Sequence, residues 1–65
     1  MRIEVNGEVR DVMSDTLEAA LDELGFGEAA VATALNGAFV PASMRCDRLL
    51  RDGDRLEVLA PMQGG

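Results

Sequence analysis

An α+β fold, with one helix packed across a small mixed sheet of four or five strands, is what this 65-residue sequence predicts. Three observations carry the prediction. Two segments of alternating apolar and polar residues each run into an Asn-Gly pair, at Asn6-Gly7 and Asn36-Gly37. Between them, one stretch repeats its apolar residues at helical spacing. A last alternating segment, 55–60, closes the body before a five-residue tail.

Met1, Ile3 and Val5 alternate with Arg2, Glu4 and Asn6, the period-2 pattern of a half-buried strand. Asn6-Gly7 suits a type I′ hairpin turn, whose two central positions need positive φ. Glu8 to Val12 then returns antiparallel, with Val9 as its core residue. Ser14 and Asp15 offer helix N-caps, and Asp15 with Glu18 has capping-box spacing. Leu17, Ala20, Leu21 and Leu24 fall on one helical face, and Gly25 supplies the stop.

Val31, Thr33 and Leu35 alternate next, and Asn36-Gly37 turns the chain into Ala38-Phe39-Val40. Pro41 ends that piece because it lacks the ladder N–H. Residues 42–48 read as a short helical turn or an irregular crossover, and Leu49-Leu50 as a short buried strand or turn. Asp52-Gly53-Asp54 is a tight turn. In the last strand, Leu56, Val58 and Ala60 share one face, with Arg55, Glu57 and Leu59 on the other. Pro61-Met62-Gln63-Gly64-Gly65 then leaves the body as a tail of this single domain, 1–65.

Composition narrows the chemistry. The chain has no His, Lys, Trp or Tyr and one Cys, which removes the usual general bases, Schiff-base lysines and His/Cys metal sites. A chain of this size buries only about 60% of its unfolded surface, leaving little room for an enclosed active site. An enzyme acting alone is not expected, nor is a metal site. One cysteine makes no internal disulfide, which fits a reducing compartment. With no signal peptide and no apolar run of membrane-spanning length, the expected location is cytoplasmic.

The net charge of −6 is uneven. Residues 1–30 hold eight acids (Glu4, Glu8, Asp11, Asp15, Glu18, Asp22, Glu23, Glu28) against two arginines, Arg2 and Arg10. Residues 31–65 balance four acids with four arginines. A negative surface disfavours nucleic acid and anionic lipid. The acidic helix face (Glu18, Asp22, Glu23) reads as a solvated face rather than a docking patch.

Gly64-Gly65 is the group this composition leaves for chemistry. Two glycines have no side chain to bury and lose the most backbone entropy on ordering. They do make a thin, extended end whose carboxylate can enter a narrow channel. The Gly65 carboxylate is therefore the expected reactive group.

Several strings together resemble the sulfur carrier proteins of thiamine thiazole biosynthesis (ThiS type). They are Ala34-Leu35-Asn36-Gly37-x-Phe39-Val40-Pro41, then Leu49-Leu50-x-Asp52-Gly53-Asp54-x-Leu56-Glu57, then Pro61-x-Gln63-Gly64-Gly65. The resemblance spans the chain and implies the β-grasp, or ubiquitin-like, roll, with the N-terminal hairpin and last strand adjacent at the sheet centre. Two departures are Ala42, where many members have a basic residue, and Arg45, where they have an aromatic. Other readings are the small subunit of molybdopterin synthase, which also ends Gly-Gly, a ubiquitin-like protein modifier, and a plain β-grasp binding module.

The resemblance further implies that Gly65 is adenylated by a ubiquitin-activating-like adenylyltransferase and converted to a thiocarboxylate. Sulfur comes from a persulfide donor and goes to thiazole synthase. ATP belongs to the activating enzyme, and no cofactor is held permanently. Gly64, Gln63, Met62 and Pro61 are the expected recognition tail, with Pro61 either stiffening the strand exit or simply ending the strand. Leu59 and Phe39 are candidates for a partner-facing surface, Leu59 favoured for contact and Phe39 for capping the core. Cys46, with no base nearby in sequence, reads as a small packing residue rather than a sulfur relay.

Overall fold

The computed structural model describes residues 1–27 and 30–60. The chain forms strands β1 (Arg2–Val5) and β2 (Glu8–Asp11), helix α1 (Leu17–Glu23), strands β3 (Ala32–Leu35) and β4 (Ala38–Val40), a 3-10 helix (Ala42–Asp47), and strand β5 (Arg55–Leu59). The five strands make one mixed sheet in the order β2-β1-β5-β3-β4. β1 and β5 run parallel at its centre, and the remaining pairs are antiparallel. The predicted one-helix, mixed-sheet architecture is the one observed.

Both Asn-Gly pairs form the predicted turns. Asn6 and Asn36 have φ of 51° and 52°, and the glycines after them 85° and 86°. Each asparagine also reaches across to β5. Asn6 accepts from the Val58 N–H at 2.8 Å and donates to the Val58 carbonyl at 3.1 Å. Asn36 accepts from the Arg55 N–H at 2.9 Å and donates to the Asp54 carboxylate at 3.0 Å. The central strand is thus held by its two ladders and by a side chain from each flanking turn.

The turns fix the strand register, and the register corrects two expectations. A two-residue loop pairs Val5 with Glu8 and Glu4 with Val9. Val9 therefore stands on Glu4's side of the sheet, away from the helix, and is 64% exposed rather than in the core. The second turn pairs Leu35 with Ala38 and Ala34 with Phe39. Phe39 accordingly stands on the outer face, 69% exposed, and does not cap the core. Val40, opposite Thr33, is the buried residue of β4.

Helix α1 buries Leu17, Ala20 and Leu21, as its spacing predicts. Its N-cap, however, is Thr16 rather than Ser14 or Asp15. The Thr16 hydroxyl accepts the Ala19 N–H, and its carbonyl accepts that of Ala20. An isolated antiparallel bridge to Leu49 holds Thr16 extended, while the Asp15 carbonyl is engaged by the Leu50 N–H. At the far end Gly25 (φ 95°) donates to Asp22 and Phe26 to Leu21. This paired arrangement closes the helix and returns Phe26 toward the core.

One hydrophobic core lies between α1 and the sheet. Ile3 and Val5, Leu35 and Val40, and Leu56 and Val58 supply the sheet side, with Leu17, Ala20 and Leu21 opposite them and Val12 and Leu50 at the margins. Leu49 is exposed, so only Leu50 of that pair is buried. Thr33 is the buried polar residue among those described, and its hydroxyl donates to the Val40 carbonyl at 2.8 Å. The stretch left open between helix and crossover is the 3-10 helix. Cys46 lies exposed on it, so it is not the packing residue expected.

Candidate functional site: the root of the tail

β5 positions the site. Its N–H and carbonyl groups are engaged on both sides, by β1 and by β3, and it ends at Leu59 with Ala60 the last described residue. The predicted recognition residues Pro61, Met62, Gln63, Gly64 and Gly65 lie outside the described residues. What can be read is where their chain originates. It originates from the central strand of the sheet, which is paired on both sides.

Leu59 pairs with Ala32 and points to the face opposite the core, where it is 68% exposed. Phe39 shares that face on the β4 edge and Val9 shares it on the β2 edge. The small residues Ala32 and Ala34 lie between the Leu59 and Phe39 positions, so apolar surface extends from the tail root toward β4. Among the described residues no element covers this side of β5. Sequence parity identified Leu59 as outward-facing. Val9 was missed, although the two-residue turn and Glu4 on the opposing strand together contain the signal.

Beside the root lies an apolar groove whose walls include Val31, Ala32, Ala42, Leu59 and Ala60, with Arg45 as the charged residue among those lining it. The half-buried Arg45 side chain crosses from the 3-10 helix to β3. Its Nε donates to the Thr33 hydroxyl at 3.1 Å and a terminal nitrogen donates to the Val31 carbonyl. Arg45 thereby ties the 3-10 helix to the strand next to β5. A short aliphatic side chain here would leave the Val31 carbonyl without this donor.

A second polar device lies at the C-terminal end of α1. The Glu23 carboxylate accepts from the Ser14 hydroxyl at 2.8 Å and from the Met13 and Ser14 N–H groups at 3.0 and 3.1 Å. The Ser14 hydroxyl hydrogen bond, followed by that from Met13, holds this carboxyl below its ordinary value. Glu23 thus clips the end of α1 to the crossover from β2, a role the reading of a solvated acidic face did not contain. Among the described residues no three Cys, Asp or Glu side chains gather as a metal site, and no helix is long and apolar enough to cross a membrane.

Comparison with known proteins places this geometry. The ThiS family model matches residues 3–65. The chain is 47% identical over 62 residues to the sulfur carrier protein ThiS of Thermus thermophilus, covering 94% of this chain and 95% of that protein. It is 39% identical over 66 residues to a thiazole synthase of Paramagnetospirillum magneticum, covering all of this chain but 20% of that protein. The crystal structure of the thiamine biosynthesis protein ThiS from Geobacter metallireducens superposes with a TM-score of 0.84 at 29% identity, both chains covered completely.

Proposed function

The chain belongs to the ThiS family of sulfur carriers in thiamine biosynthesis, and we propose that its Gly65 carboxylate is the group that carries the sulfur. The observation behind this reading is the family match, which runs through residue 65 and so includes Gly64-Gly65. The protein acts as a carrier and cosubstrate, with the chemistry supplied by the enzymes that receive its tail.

A carboxylate is a poor electrophile, since oxide would have to leave. Activation proceeds by attack of a Gly65 carboxylate oxygen on the α-phosphorus of ATP, with pyrophosphate departing. The product is an acyl-adenylate whose leaving group is AMP. The terminal sulfur of a persulfide then attacks the carbonyl carbon and expels AMP, forming an acyl disulfide. A thiol reduces that disulfide and releases the thiocarboxylate, being itself oxidised to a disulfide with the donor's sulfur. ATP and the persulfide reside on the partner proteins.

Thiazole synthase is the proposed acceptor. The likeness of the whole chain to one fifth of a thiazole synthase polypeptide supports that pairing. A carrier-like sequence within such a polypeptide is consistent with the two working on one another. Leu59, beside the tail root, and Phe39, farther along the same face, supply the apolar surface for docking.

The glycines are required by geometry. The activating enzyme must hold the Gly65 carboxylate in line with a phosphorus atom, where ~1 Å of misplacement can cost ~100-fold. A Cβ at position 64 or 65 widens the segment that must thread the channel. Gly65→Ala and Gly64→Ala are expected to lower ATP–pyrophosphate exchange by about 100-fold while leaving the circular dichroism spectrum and melting curve unchanged. Exchange at the parent rate with Gly65→Ala would refute the assignment. In protein isolated from cells, intact mass should show oxygen replaced by sulfur, whereas adducts to other proteins would indicate a modifier.

A further inference from the structure

We propose that the open edge of β2 pairs with β2 of a second copy of this chain, antiparallel, about a two-fold axis at Val9. Among the described residues β2 ends the sheet, with β1 on one side and no strand on the other. Its residues Glu8, Val9, Arg10 and Asp11 are all exposed. Val9 is apolar and lies two strands from β5, so docking beside the tail root leaves it unused.

The ladder tells which backbone groups of β2 face outward. Met1 and Val12 exchange two hydrogen bonds, from the terminal amine at 2.7 Å and from the Val12 N–H at 2.8 Å. Bonded and non-bonded pairs alternate along an antiparallel ladder. Ile3 with Arg10 and Val5 with Glu8 are therefore the bonded pairs, whereas Arg2 with Asp11 and Glu4 with Val9 are not. The Glu4 N–H agrees, since it donates away from β2, to the Asp54 carbonyl at 2.9 Å. Val9 and Asp11 thus direct their N–H and carbonyl groups out from the sheet edge, ready to pair with another strand.

The side chains select one register. With the axis at Val9, the two valines face each other and exchange both backbone bonds. Glu8 then stands opposite Arg10 of the second copy, and Arg10 opposite its Glu8. These are non-bonded positions, where side chains across a ladder come closest. Asp11, already paired with Arg2 at 3.3 Å, meets Gly7, which brings no side chain. An axis at Glu8, Arg10 or Asp11 instead sets that residue against itself, and like charges directly opposed are destabilising. Charges ordinarily guard an edge against pairing. Here their order makes a single register complementary.

So short an edge buries less than the roughly 1,200 Å² of a stable interface, which makes the dimer weak and reversible. β5 lies two strands from the axis in each copy, so both tail roots stay open and docking there is a separate event. The inference goes beyond the sulfur-carrier reading and does not require it, because its test reads self-association alone.

The test is a concentration series on the full chain, from micromolar to millimolar, read by sedimentation equilibrium and by backbone amide shifts in NMR. We expect the average mass to rise and the Val9 and Asp11 amides to shift with concentration. Glu8→Arg and Arg10→Glu should each weaken association about tenfold or more, because both cross-strand pairs become like-charged. Glu8→Arg also makes each copy less negative, so general repulsion does not account for its loss. The double swap Glu8→Arg/Arg10→Glu should restore the parent affinity. An equimolar mixture of the two single variants should form a mixed dimer, since one then carries two arginines and the other two glutamates at these positions. A parent that stays monomeric at millimolar concentration, with Val9 and Asp11 amides unshifted, overturns the proposal. Association that neither single reversal weakens overturns it equally. The parent series decides even if a variant fails to fold.

Discussion

Asn6 and Asn36 each serve two purposes that one residue type joins. Asparagine tolerates the positive φ that begins a type I′ turn, and its amide supplies both a donor and an acceptor. Here those groups are spent on β5 and, for the Asn36 donor, on Asp54 just before it. Asn6→Gly separates the two purposes, because glycine keeps the turn and removes the side-chain hydrogen bonds to Val58. The expected loss is about 1–2 kcal/mol, the net worth of partly exposed hydrogen bonds. Urea unfolding should show a lower midpoint with an unchanged slope.

Glu23 makes a pH-dependent contribution with a definite sign. Its folded-state carboxyl is held below the ordinary value by Ser14 and Met13, so the native state favours the ionised form. The contribution is therefore complete above the ordinary carboxyl range and is lost as pH falls through the lowered folded value. Glu23→Gln should be less stable than the parent at neutral pH. The difference should close on acidification, as measured by thermal melts from neutral pH down through the acid range. A gap that stays constant would show that the hydrogen bonds do not depend on the charge.

Helix α1 shows how far a short element depends on its neighbours. Seven residues are too few for a stable isolated helix, since fewer than about 12–15 are marginal in water. The helix persists because Leu17, Ala20 and Leu21 are taken into the core and because Thr16 caps it. Leu17→Ala should cost about 2–5 kcal/mol. At roughly 0.05–0.15 kcal/mol per residue, the whole domain commands only about 3–10 kcal/mol. Circular dichroism at 25 °C should show the variant strongly destabilised or largely unfolded.

The elements themselves were legible because their periodicities are strong: alternation at Ile3 and Val5, helical spacing at Leu17, Ala20 and Leu21, and two Asn-Gly pairs. The misplaced residues were those whose position depends on two elements together. Val9 and Phe39 look like core residues within their own strands. Only the register imposed by each two-residue turn, combined with the identity of Glu4 or Ala34 across the ladder, sends them outward. Thr16 replaced its neighbours as cap for a similar reason, since the bridge to Leu49 comes from 33 residues later in the sequence. The site followed the same division. Leu59 was readable from strand parity, whereas the Arg45 contact to β3 depends on where a 3-10 helix crosses it.

At the scale of the molecule, the described residues leave the sheet with one face under α1 and one uncovered. The uncovered face carries Leu59, Phe39 and Val9 as exposed large apolar residues, and the central strand that bears Leu59 also bears the tail. Leu59 adjoins Ala60, the last described residue before the tail, whereas Val9 lies two strands away at the far edge. The surface is thus ordered by distance from the root of the tail. Leu59→Asp places a charge at the proposed docking contact, while a side chain already 68% exposed contributes little to folding. We expect its melting temperature to change by no more than a surface substitution allows, about 0.5 kcal/mol in stability. Its binding to thiazole synthase and to the activating enzyme should weaken by about tenfold or more, the effect of losing a contact worth at least ~1.4 kcal/mol. Val9→Asp serves as the matched control, carrying the same charge on the same face away from the tail. Calorimetric titration of both variants checks the gradient, and equal losses for the two would mean that net charge rather than position governs docking.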